Sequence, residues 1–281
     1  MKTAWITGAN GLIGNYLLQT AAKFPQWRAC PITRAQFDLL DFQAAERQFK
    51  KDRPQLIIHS AAVSTVAEAQ KNPELARKVN VEATKFLAEL ASEIPFVFFS
   101  TDIVFDGRKG NYNEADATNP LHSYGETKVV AEQIILKNPK HLVVRTSLNG
   151  GVSRTGNRGF NEQLHHVLKS GPGMKLFTDE YRCPLFAGET ARAVWELADK
   201  NCSGIYHVAG AERLSRFQIG QLLVPRWPDV KTQLKTGLTK DFPGPPRVLD
   251  TSLDISKVQK VLSRPILGLG EWLEKNPAEP F

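Results

Sequence analysis

The glycine-rich turn near the start of the chain is the feature that most constrains its fold. Residues 7–14 read Thr-Gly-Ala-Asn-Gly-Leu-Ile-Gly, directly after the apolar segment Lys2–Thr7 and directly before a helical pattern. Gly8 permits a tight turn, Gly11 lets backbone amides approach a phosphate, and Gly14 lets the helix pack closely on the strand. This order of strand, turn and helix predicts a dinucleotide-binding unit. The alternative is a set of glycines that only ends a strand.

Short apolar runs alternate with amphipathic stretches through the first half of the chain. Runs too short for buried helices predict strands at Lys2–Thr7, Arg28–Ile32, Leu56–Ser60, Phe96–Ser100 and His141–Thr146. Apolar residues at three- and four-residue spacing predict helices at Asn15–Lys23, Gln43–Lys51, Pro73–Ser92 and Tyr124–Leu136. Because strand, helix and strand in this order form right-handed crossovers, we predict an α/β fold with a doubly wound, mainly parallel (Rossmann) sheet.

The pattern changes after Thr146, where glycines and prolines interrupt shorter elements. We therefore expect a dinucleotide-binding Rossmann domain at residues 1–148 and a smaller C-terminal substrate-binding lobe at residues 149–281. The apolar segment Gly204–Val208 is expected to return to the main sheet.

The charge balance favours an anionic ligand and argues against nucleic acid. The chain has 36 Lys and Arg against 29 Asp and Glu, a net charge of +7, which suits a nucleotide. Basic residues form no continuous run of five, so no nucleic-acid partner is expected. We expect a small anionic molecule such as a nucleotide as the partner, and a homodimer is left open.

Neither a metal site nor a membrane segment is expected. The cysteines Cys30, Cys183 and Cys202 are widely spaced, and the adjacent pair His165 and His166 points to different sides of a helix. The first apolar segment, Ala4-Trp5-Ile6, is too short for a signal-peptide core, and no apolar run of 18 residues follows it. We therefore expect a cytoplasmic protein with no membrane partner.

The loop after the second predicted strand bears on the choice of cofactor. It contains Thr33-Arg34, and no acidic residue lies between Cys30 and Phe37. A carboxylate at this place would accept a hydrogen bond from the ribose of NADH, whereas an arginine can pair with the 2′-phosphate of NADPH. The loop favours NADPH, with NADH as a second possibility and a solvated Arg34 as the alternative. The full set of expected cofactor contacts is Gly8, Asn10, Gly11, Leu12, Ile13, Gly14, Arg34, Asp38, Leu39, Ala61, Ala62, Val63, Tyr124 and Lys128.

Tyr124 and Lys128 begin a predicted helix and lie four residues apart. Residues at this spacing share one helical face, so both side chains can reach a ligand beside the sheet. A phenol titrates near about pH 10 in water, and a nearby cation is expected to lower that pKa until the hydroxyl can act as an acid or base. Ser123 and Glu126 have the spacing of a capping box for the same helix. A surface tyrosine and lysine without a shared role are the alternative.

Thr101 and Asp102 follow the apolar strand Phe96–Ser100. The carboxyl ends of strands in such sheets face the ligand, so the Thr101 hydroxyl can polarise a carbonyl oxygen and Asp102 is expected at the substrate. The alternative is that both residues only cap a turn.

Three segments together resemble one enzyme family. They are Thr-Gly-Ala-Asn-Gly-Leu-Ile-Gly at 7–14, Ser-Thr-Asp-Ile-Val-Phe-Asp-Gly at 100–107 and Tyr-Gly-Glu-Thr-Lys at 124–128. They resemble the extended short-chain dehydrogenase/reductases, and most of all the dTDP-4-dehydrorhamnose reductases. Further matching stretches include Ala61-Ala62, Asn80-Val81, Arg145-Thr146-Ser147 and Leu214-Ser215-Arg216-Phe217.

The resemblance implies a reaction and roles for the residues that match. Thr101, Tyr124 and Lys128 would form the catalytic set, with Tyr124 as the proton donor and Lys128 also holding the nicotinamide ribose. Hydride would pass from an NAD(P)H cofactor to the carbonyl of a 4-keto nucleotide sugar. The resemblance therefore implies an NAD(P)-dependent oxidoreductase.

The chain also departs from that family at two places. Family members tend to have tryptophan after Arg-Thr-Ser, where this chain has Leu148, and the stretch Asn149–Phe160 is unusually rich in glycine and arginine. In that stretch Arg154 and Arg158 either contact a diphosphate or form a solvated loop. We expect the substrate contacts Thr101, Asp102, Arg158, Arg182 and Arg247.

Two other functions share this set of motifs. One is a regulatory subunit that binds NADP without turnover and resembles the β subunit of methionine adenosyltransferase. The other is an epimerase or dehydratase of the same superfamily, which would keep NAD bound and place an additional acid or base near the end of the fourth strand.

Overall fold

The computed structural model describes residues 1–170, 174–231, 233–244 and 246–281. The strands are β1 (Lys2–Thr7), β2 (Trp27–Ile32), β3 (Leu56–His59), β4 (Phe96–Thr101), β5 (Leu142–Thr146), β6 (Asn149–Gly150), β7 (Lys175–Phe177), β8 (Tyr181–Arg182), β9 (Leu185–Phe186), β10 (Gly204–Val208), β11 (Leu214–Ser215) and β12 (Lys235–Gly237). The helices are α1 (Leu12–Thr20), α2 (Phe42–Asp52), α3 (Val66–Lys71), α4 (Pro73–Arg77), α5 (Ala83–Leu90), α6 (Ser123–Ile135), α7 (Phe160–Ser170), α8 (Ala187–Asp199), α9 (Arg216–Leu223), α10 (Ser256–Gln259) and α11 (Leu269–Lys275). Short 3₁₀ turns lie at Ala21–Lys23, Asp102–Val104, Val224–Arg226 and Thr239–Asp241.

The central sheet is parallel throughout its described strands. Its order is β10-β5-β4-β3-β1-β2, and each neighbouring pair runs in the same direction. The predicted doubly wound, mainly parallel Rossmann sheet is confirmed. The chain goes from β1 outward to β2 and then returns to build β3, β4, β5 and β10 on the other side. A ligand crevice is expected where the direction of winding reverses, at the carboxyl ends of β1 and β3.

Helices cover the sheet on both faces, and alternate residues of β1 show how. Ala4 and Ile6 belong to the same buried cluster as Leu17 of α1 and Trp195 of α8, whereas Trp5 belongs to the cluster on the other face, which includes residues of α2, α5 and α6. The Trp195 indole N–H donates to the Leu17 carbonyl at 2.9 Å, which satisfies its polar atom inside the core. Burial on both faces explains why the strands read as continuous apolar runs.

The structure divides the predicted helix Pro73–Ser92 into several pieces and adds a helix before it. Asn72 caps α4 and follows α3, which the sequence analysis did not predict. A π-helical turn, Lys78–Glu82, then joins α4 to α5. Within this turn the buried Asn80 side chain forms hydrogen bonds with the amide and the carbonyl of Val63.

Helix α6 begins at Ser123 with His122 as its N-cap. The predicted capping box of Ser123 and Glu126 is wrong, because no side chain of the described residues caps this helix and the Ser123 hydroxyl has no hydrogen-bond partner among them. The start of α6 is held instead by the packing of Gly125, where an added Cβ would lie 2.5 Å from the Ile103 carbonyl oxygen.

The second half of the chain consists mainly of short elements. Parallel pairs form between β6 and β9 and between β7 and β12, and β8 pairs with β11 in the antiparallel direction. The strand β10 lies beside β5 at the edge of the main sheet. The division at residues 148 and 149 stays a prediction. None of the helices in the described ranges is both long and apolar enough to cross a membrane.

Candidate functional site

A cavity of about 1040 Å³ opens at the carboxyl ends of β1, β3, β4 and β5. It brings together residues from the glycine turn, from helix α6 and from the second half of the chain. Most of the residues expected from the sequence line it, namely Gly8, Asn10, Gly11, Leu12, Ile13, Gly14, Arg34, Asp38, Leu39, Ala61, Ala62, Thr101, Asp102, Tyr124, Lys128, Arg158, Arg182 and Arg247.

The glycine turn is shaped by close backbone contacts. Gly8 has a φ of +67°, and a Cβ added to it would lie 2.7 Å from the Ala61 nitrogen. A Cβ on Gly14 would lie 2.2 Å from the Gly8 carbonyl oxygen. Gly11 is the N-cap of α1, and no side chain in the described part of the protein caps this helix. The first amides of α1 are therefore available to an anion in the cavity.

Val63 does not line the cavity, contrary to the expectation that it contacts the cofactor. Its side chain is buried in a cluster with Ala69, Ala76 and Tyr124. Its amide donates to Asn80 Oδ1 at 2.9 Å, and its carbonyl accepts from Asn80 Nδ2 at 3.1 Å. Val63 supports Tyr124 from behind the cavity wall. Asn80 was not among the predicted site residues, although it lies in one of the stretches that carry the family resemblance.

Arg34 lies on the loop between β2 and α2, at the end of the cavity next to the glycine turn. Its guanidinium forms no ion pair with any carboxylate in the described ranges of the chain. Asp38 lines the same end, and its Oδ1 accepts from the Leu40 amide at 2.9 Å. This part of the cavity therefore carries an unpaired positive charge.

Tyr124 is 8% exposed and lies beside Thr101 at the end of β4. Burial raises the pKa of the Tyr124 phenol above its usual value, the negative charge of Asp102 raises it further, and a hydrogen bond with Thr101 lowers it in part. The expectation that Lys128 lowers the pKa of Tyr124 is wrong for the ligand-free structure. The phenol is protonated at neutral pH.

Lys128 points into the protein from the second turn of α6. The side chain is 3% exposed, and its Nζ lies 3.9 Å from the centroid of the Phe98 ring. Burial lowers the pKa of Lys128 to about 7, although the carboxylate of Glu132 raises it. Burial, together with the charge of Lys128, also lowers the pKa of His59 to about 3. Lys128 thus changes its charge near neutral pH.

Asp102 lines the cavity, but hydrogen bonds within the protein occupy its carboxylate. Oδ2 accepts from Ser147 Oγ at 2.7 Å and from Thr251 Oγ1 at 3.0 Å, and Oδ1 accepts from Thr101 Oγ1 at 3.2 Å. The Arg182 Nε lies 3.6 Å from Oδ2. Asp102 therefore orients Thr101 and Arg182, which contact the cavity beside it.

Three arginines surround the single carboxylate of Glu180 on the far side of the cavity. Glu180 is completely buried, and its oxygens lie 3.3 Å from Arg182, 2.8 Å from Arg216 and 2.7 Å from Arg247. Burial alone would raise the pKa of Glu180, but the three guanidinium groups hold it at about 2. All three arginines line the cavity, so the cluster keeps excess positive charge there.

Glu180 and Arg216 were not among the site residues predicted from the sequence. Arg216 is the first residue of α9, whose N-terminus is fixed by a complete capping box between Ser215 and Gln218. The Arg216 amide also donates to the Glu180 carbonyl at 2.9 Å. The sequence feature that could have identified Arg216 is the stretch from Leu214 to Phe217, which carries part of the family resemblance.

A family model and several known proteins match this chain over most of its length. The profile of the RmlD substrate binding domain family matches residues 1–274. A Haloferax volcanii protein, probable low-salt glycan biosynthesis reductase Agl14, is 32% identical over 94% of this chain and 94% of its own. The dTDP-4-dehydrorhamnose reductase of Aggregatibacter actinomycetemcomitans is 27% identical over 92% of this chain and 93% of its own. Methionine adenosyltransferase 2 subunit beta of Xenopus laevis is 28% identical over 92% of this chain and 82% of its own.

Solved structures share the same architecture. A hypothetical dTDP-4-dehydrorhamnose reductase from Sulfolobus tokodaii has a TM-score of 0.83 at 32% identity, covering 96% of this chain and 97% of its own. The Bacillus anthracis dTDP-4-dehydrorhamnose reductase in complex with NADP has a TM-score of 0.89 at 24% identity, covering 98% of both chains. The Thermus thermophilus UDP-glucose 4-epimerase in complex with NAD has a TM-score of 0.82 at 19% identity, covering 96% of both chains, and shows a similar fold.

Proposed function

Because this chain belongs to the family of the RmlD substrate binding domain, we propose that it is an NADPH-dependent reductase of a 4-keto nucleotide sugar. The observation that carries the proposal is one cavity lined by three separate groups. These are the glycine turn, the residues Thr101, Tyr124 and Lys128, and the arginine cluster around Glu180. Each group matches one part of the chemistry: cofactor binding, proton transfer and binding of a substrate diphosphate.

The residues at the glycine turn fit a dinucleotide. The uncapped start of α1 offers free amides to a diphosphate, and the unpaired Arg34 offers a cation to a 2′-phosphate. Asp38 and Leu39 lie at the same end of the cavity, where they would hold the adenine. When bound, NADPH supplies the hydride that reduces the sugar carbonyl. The structure of the Bacillus anthracis relative with NADP supports the choice of this cofactor.

Tyr124 would donate the proton to the carbonyl oxygen of the sugar. Its raised pKa keeps the phenol protonated at neutral pH, which is the form a proton donor needs. The Thr101 hydroxyl donates to Asp102 Oδ1 in this structure, and with substrate bound it would turn the same proton to the carbonyl oxygen as negative charge develops there. Lys128 would hold the nicotinamide ribose, and its positive charge would then stabilise the phenolate left after proton transfer.

Arg182, Arg216 and Arg247 would bind the diphosphate of the nucleotide sugar. Glu180 neutralises part of their charge and fixes the guanidinium groups in place, which leaves donors for an anion. Arg158 lines the cavity from a different loop and would add a contact from that side. The reductases among the relatives make dTDP-4-dehydrorhamnose the first substrate to test. Leu148 lines the cavity where family members tend to have tryptophan, so a different sugar is the second.

A regulatory subunit is the second candidate function. It is favoured by the methionine adenosyltransferase relative, which matches 92% of this chain at 28% identity. Such a protein would bind NADPH in the same way and show no turnover. A test of activity therefore separates the two functions, whereas a test of cofactor binding does not.

The experiment follows NADPH oxidation by absorbance with a panel of 4-keto nucleotide sugars. Turnover by the wild-type protein is expected, and Tyr124→Phe is expected to reduce it by roughly 10²–10⁴ without changing NADPH affinity. Tyr206→Phe is the matched control, because Tyr206 lies on β10 and does not line the cavity. NADPH binding without turnover of any sugar would favour the regulatory subunit. Turnover of Tyr124→Phe within tenfold of the wild type would contradict the role of Tyr124.

A further inference from the structure

Glu132 and Arg145 form an ion pair in the core beneath helix α6. Arg145 Nε donates to Glu132 Oε1 at 3.0 Å and Nη2 donates to Oε2 at 2.7 Å, so the two side chains meet as parallel forks. Both side chains are only 4% exposed. Ser100, which lies beside Arg145 on the neighbouring strand and lines the cavity, donates a further hydrogen bond to Glu132 Oε1. The Glu132 carboxylate is therefore held in one place by β4 and β5.

Such a pair contributes little to the stability of a core. The cost of removing two charges from water offsets most of their attraction, and apolar side chains of similar size often stabilise a core as well or better. Arg145 also brings in a donor that it does not use, because its Nη1 has no hydrogen-bond partner in the described part of the protein. The pair is therefore better explained by what the fixed carboxylate does to its neighbours.

Lys128 is the neighbour that such a carboxylate affects most. It lies one helical turn before Glu132 on the same face of α6, and it lines the cavity. Lys128 forms no ion pair with Glu132, or with any other carboxylate in the described ranges. Because Arg145 and Ser100 occupy the Glu132 oxygens, this carboxylate acts on Lys128 through its charge and leaves Nζ free.

We propose that Glu132 is a positioning residue, an anion fixed by Arg145 and Ser100 that keeps the Lys128 ammonium charged and leaves it free for the cofactor. The inference rests on the proposed function, in which this ammonium holds the nicotinamide ribose and stabilises the phenolate of Tyr124. A direct ion pair with Glu132 would draw the ammonium away from both. With the carboxylate bound by other donors, the charge is stabilised while the N–H donors of Lys128 stay available.

Few other charges act on Lys128 from within the core. His59 of β3 is neutral at working pH, because burial and the charge of Lys128 lower its pKa to about 3. Tyr124 is protonated, and two hydroxyl groups donate to the carboxylate of Asp102. Glu132 is the carboxylate that raises the pKa of Lys128 against the effect of burial. Other charged residues on α6 and on the helices packed against it are exposed, namely Glu68, Lys71, Glu74, Arg77, Lys78, Glu82, Lys85, Glu89 and Glu126.

The first test measures NADPH oxidation against pH in Glu132→Gln. Loss of the charge is expected to lower the pKa of Lys128 by about one pH unit. At pH 7 the charged fraction then falls from about half to about a tenth, so kcat/KM should fall about fivefold. At pH 5.5 it should stay within about twofold of the wild type. Glu132→Asp, which retains the charge, should follow the wild-type profile. Glu126→Gln is the matched control, because it removes an exposed charge from the same helix.

Glu132→Gln also leaves Arg145 buried without its counter-ion, which is expected to destabilise the fold. The double variant Glu132→Gln/Arg145→Met removes both charges and avoids this. It should show the same shift of the pH profile, since Lys128 loses the same carboxylate. A wild-type profile in the folded double variant would overturn the inference. An equal loss of kcat/KM at pH 5.5 and pH 7 would do the same, because it would indicate a purely structural role for Glu132.

A titration of Lys128 by NMR separates this inference from the proposed function. In ligand-free protein with isotope-labelled lysine, the signal that disappears in Lys128→Met belongs to Lys128, and its change with pH gives the pKa. The midpoint is expected at about 7 in the wild type and about one pH unit lower in the double variant. If the wild type neither binds nor oxidises NADPH, the proposed function is wrong and the role of Glu132 falls with it. If the wild type oxidises NADPH and both proteins titrate at the same midpoint, only the role of Glu132 is wrong.

Discussion

Lys128→Met should stabilise the ligand-free protein while it removes activity. Lys128 is buried on α6 with its Nζ against the Phe98 ring, and burial lowers its pKa from 10.5 to about 7. Methionine has a similar length, carries no charge and packs well against an aromatic ring. The substitution therefore removes the cost of burying a charge and retains most of the packing.

The sign and size of the effect follow from proton linkage. Between pH 7 and pH 10.5 the unfolded chain keeps Lys128 protonated while the folded protein releases the proton, so the stability of the wild type rises with pH across this window. Below pH 7 the full cost is present, and a shift of this size corresponds to at most roughly 5 kcal/mol. Lys128→Met should therefore raise the free energy of unfolding by about 2 to 4 kcal/mol at pH 6 and by less than about 1 kcal/mol at pH 10.5.

Urea unfolding without nucleotide, at both pH values, measures this difference. Lys137→Met is the matched control, since Lys137 is exposed just after α6 and should show no pH-dependent gain. Comparison with the wild type at the same pH removes the titration of all other groups. Equal effects of Lys128→Met at the two pH values, or a loss of stability at pH 6, would refute the argument that burial of the charged Lys128 side chain lowers the free energy of unfolding.

Three further changes test other parts of the site. Glu180→Gln should lower the free energy of unfolding by about 3 to 5 kcal/mol, because Arg216 and Arg247 would lose their counter-ion and Arg182 would keep only Asp102; denaturant unfolding measures this. In the wild type the stabilising charge of Glu180, whose pKa is about 2 against the usual 4.5, is present above pH 4.5 and is lost as the pH falls toward 2, which acid unfolding of both proteins would show. Arg34→Ala should weaken NADPH by about tenfold and leave NADH unchanged in direct titrations. Gly8→Ala should abolish cofactor binding and cost about 1 to 3 kcal/mol of stability, since a positive φ and the Ala61 nitrogen oppose a Cβ; calorimetry with and without NADPH would detect both losses.

The sequence by itself determined the sheet and the glycine turn at the carboxyl end of its first strand. Apolar runs such as Phe96–Thr101 and the periodic helix Ser123–Ile135 are local patterns, and the backbone preferences they express depend on neighbouring residues. The glycine turn is also local, because a tight turn and a close helix contact require particular residues at fixed spacing. For this reason the parallel sheet, most of its helices and most of the cavity lining beside the glycine turn were predictable, whereas helix α3 and the position of Val63 were not.

Only the tertiary structure decided the charge states and the binding residues of the second half. The spacing of Tyr124 and Lys128 correctly predicted two neighbours on one helix but gave the wrong direction for the pKa of the phenol, because burial depends on what packs around both side chains. The ion pairs from Glu180 to Arg216 and Arg247 join residues 36 and 67 positions apart. No local pattern encodes such contacts, since desolvation and long-range charge are properties of the assembled core.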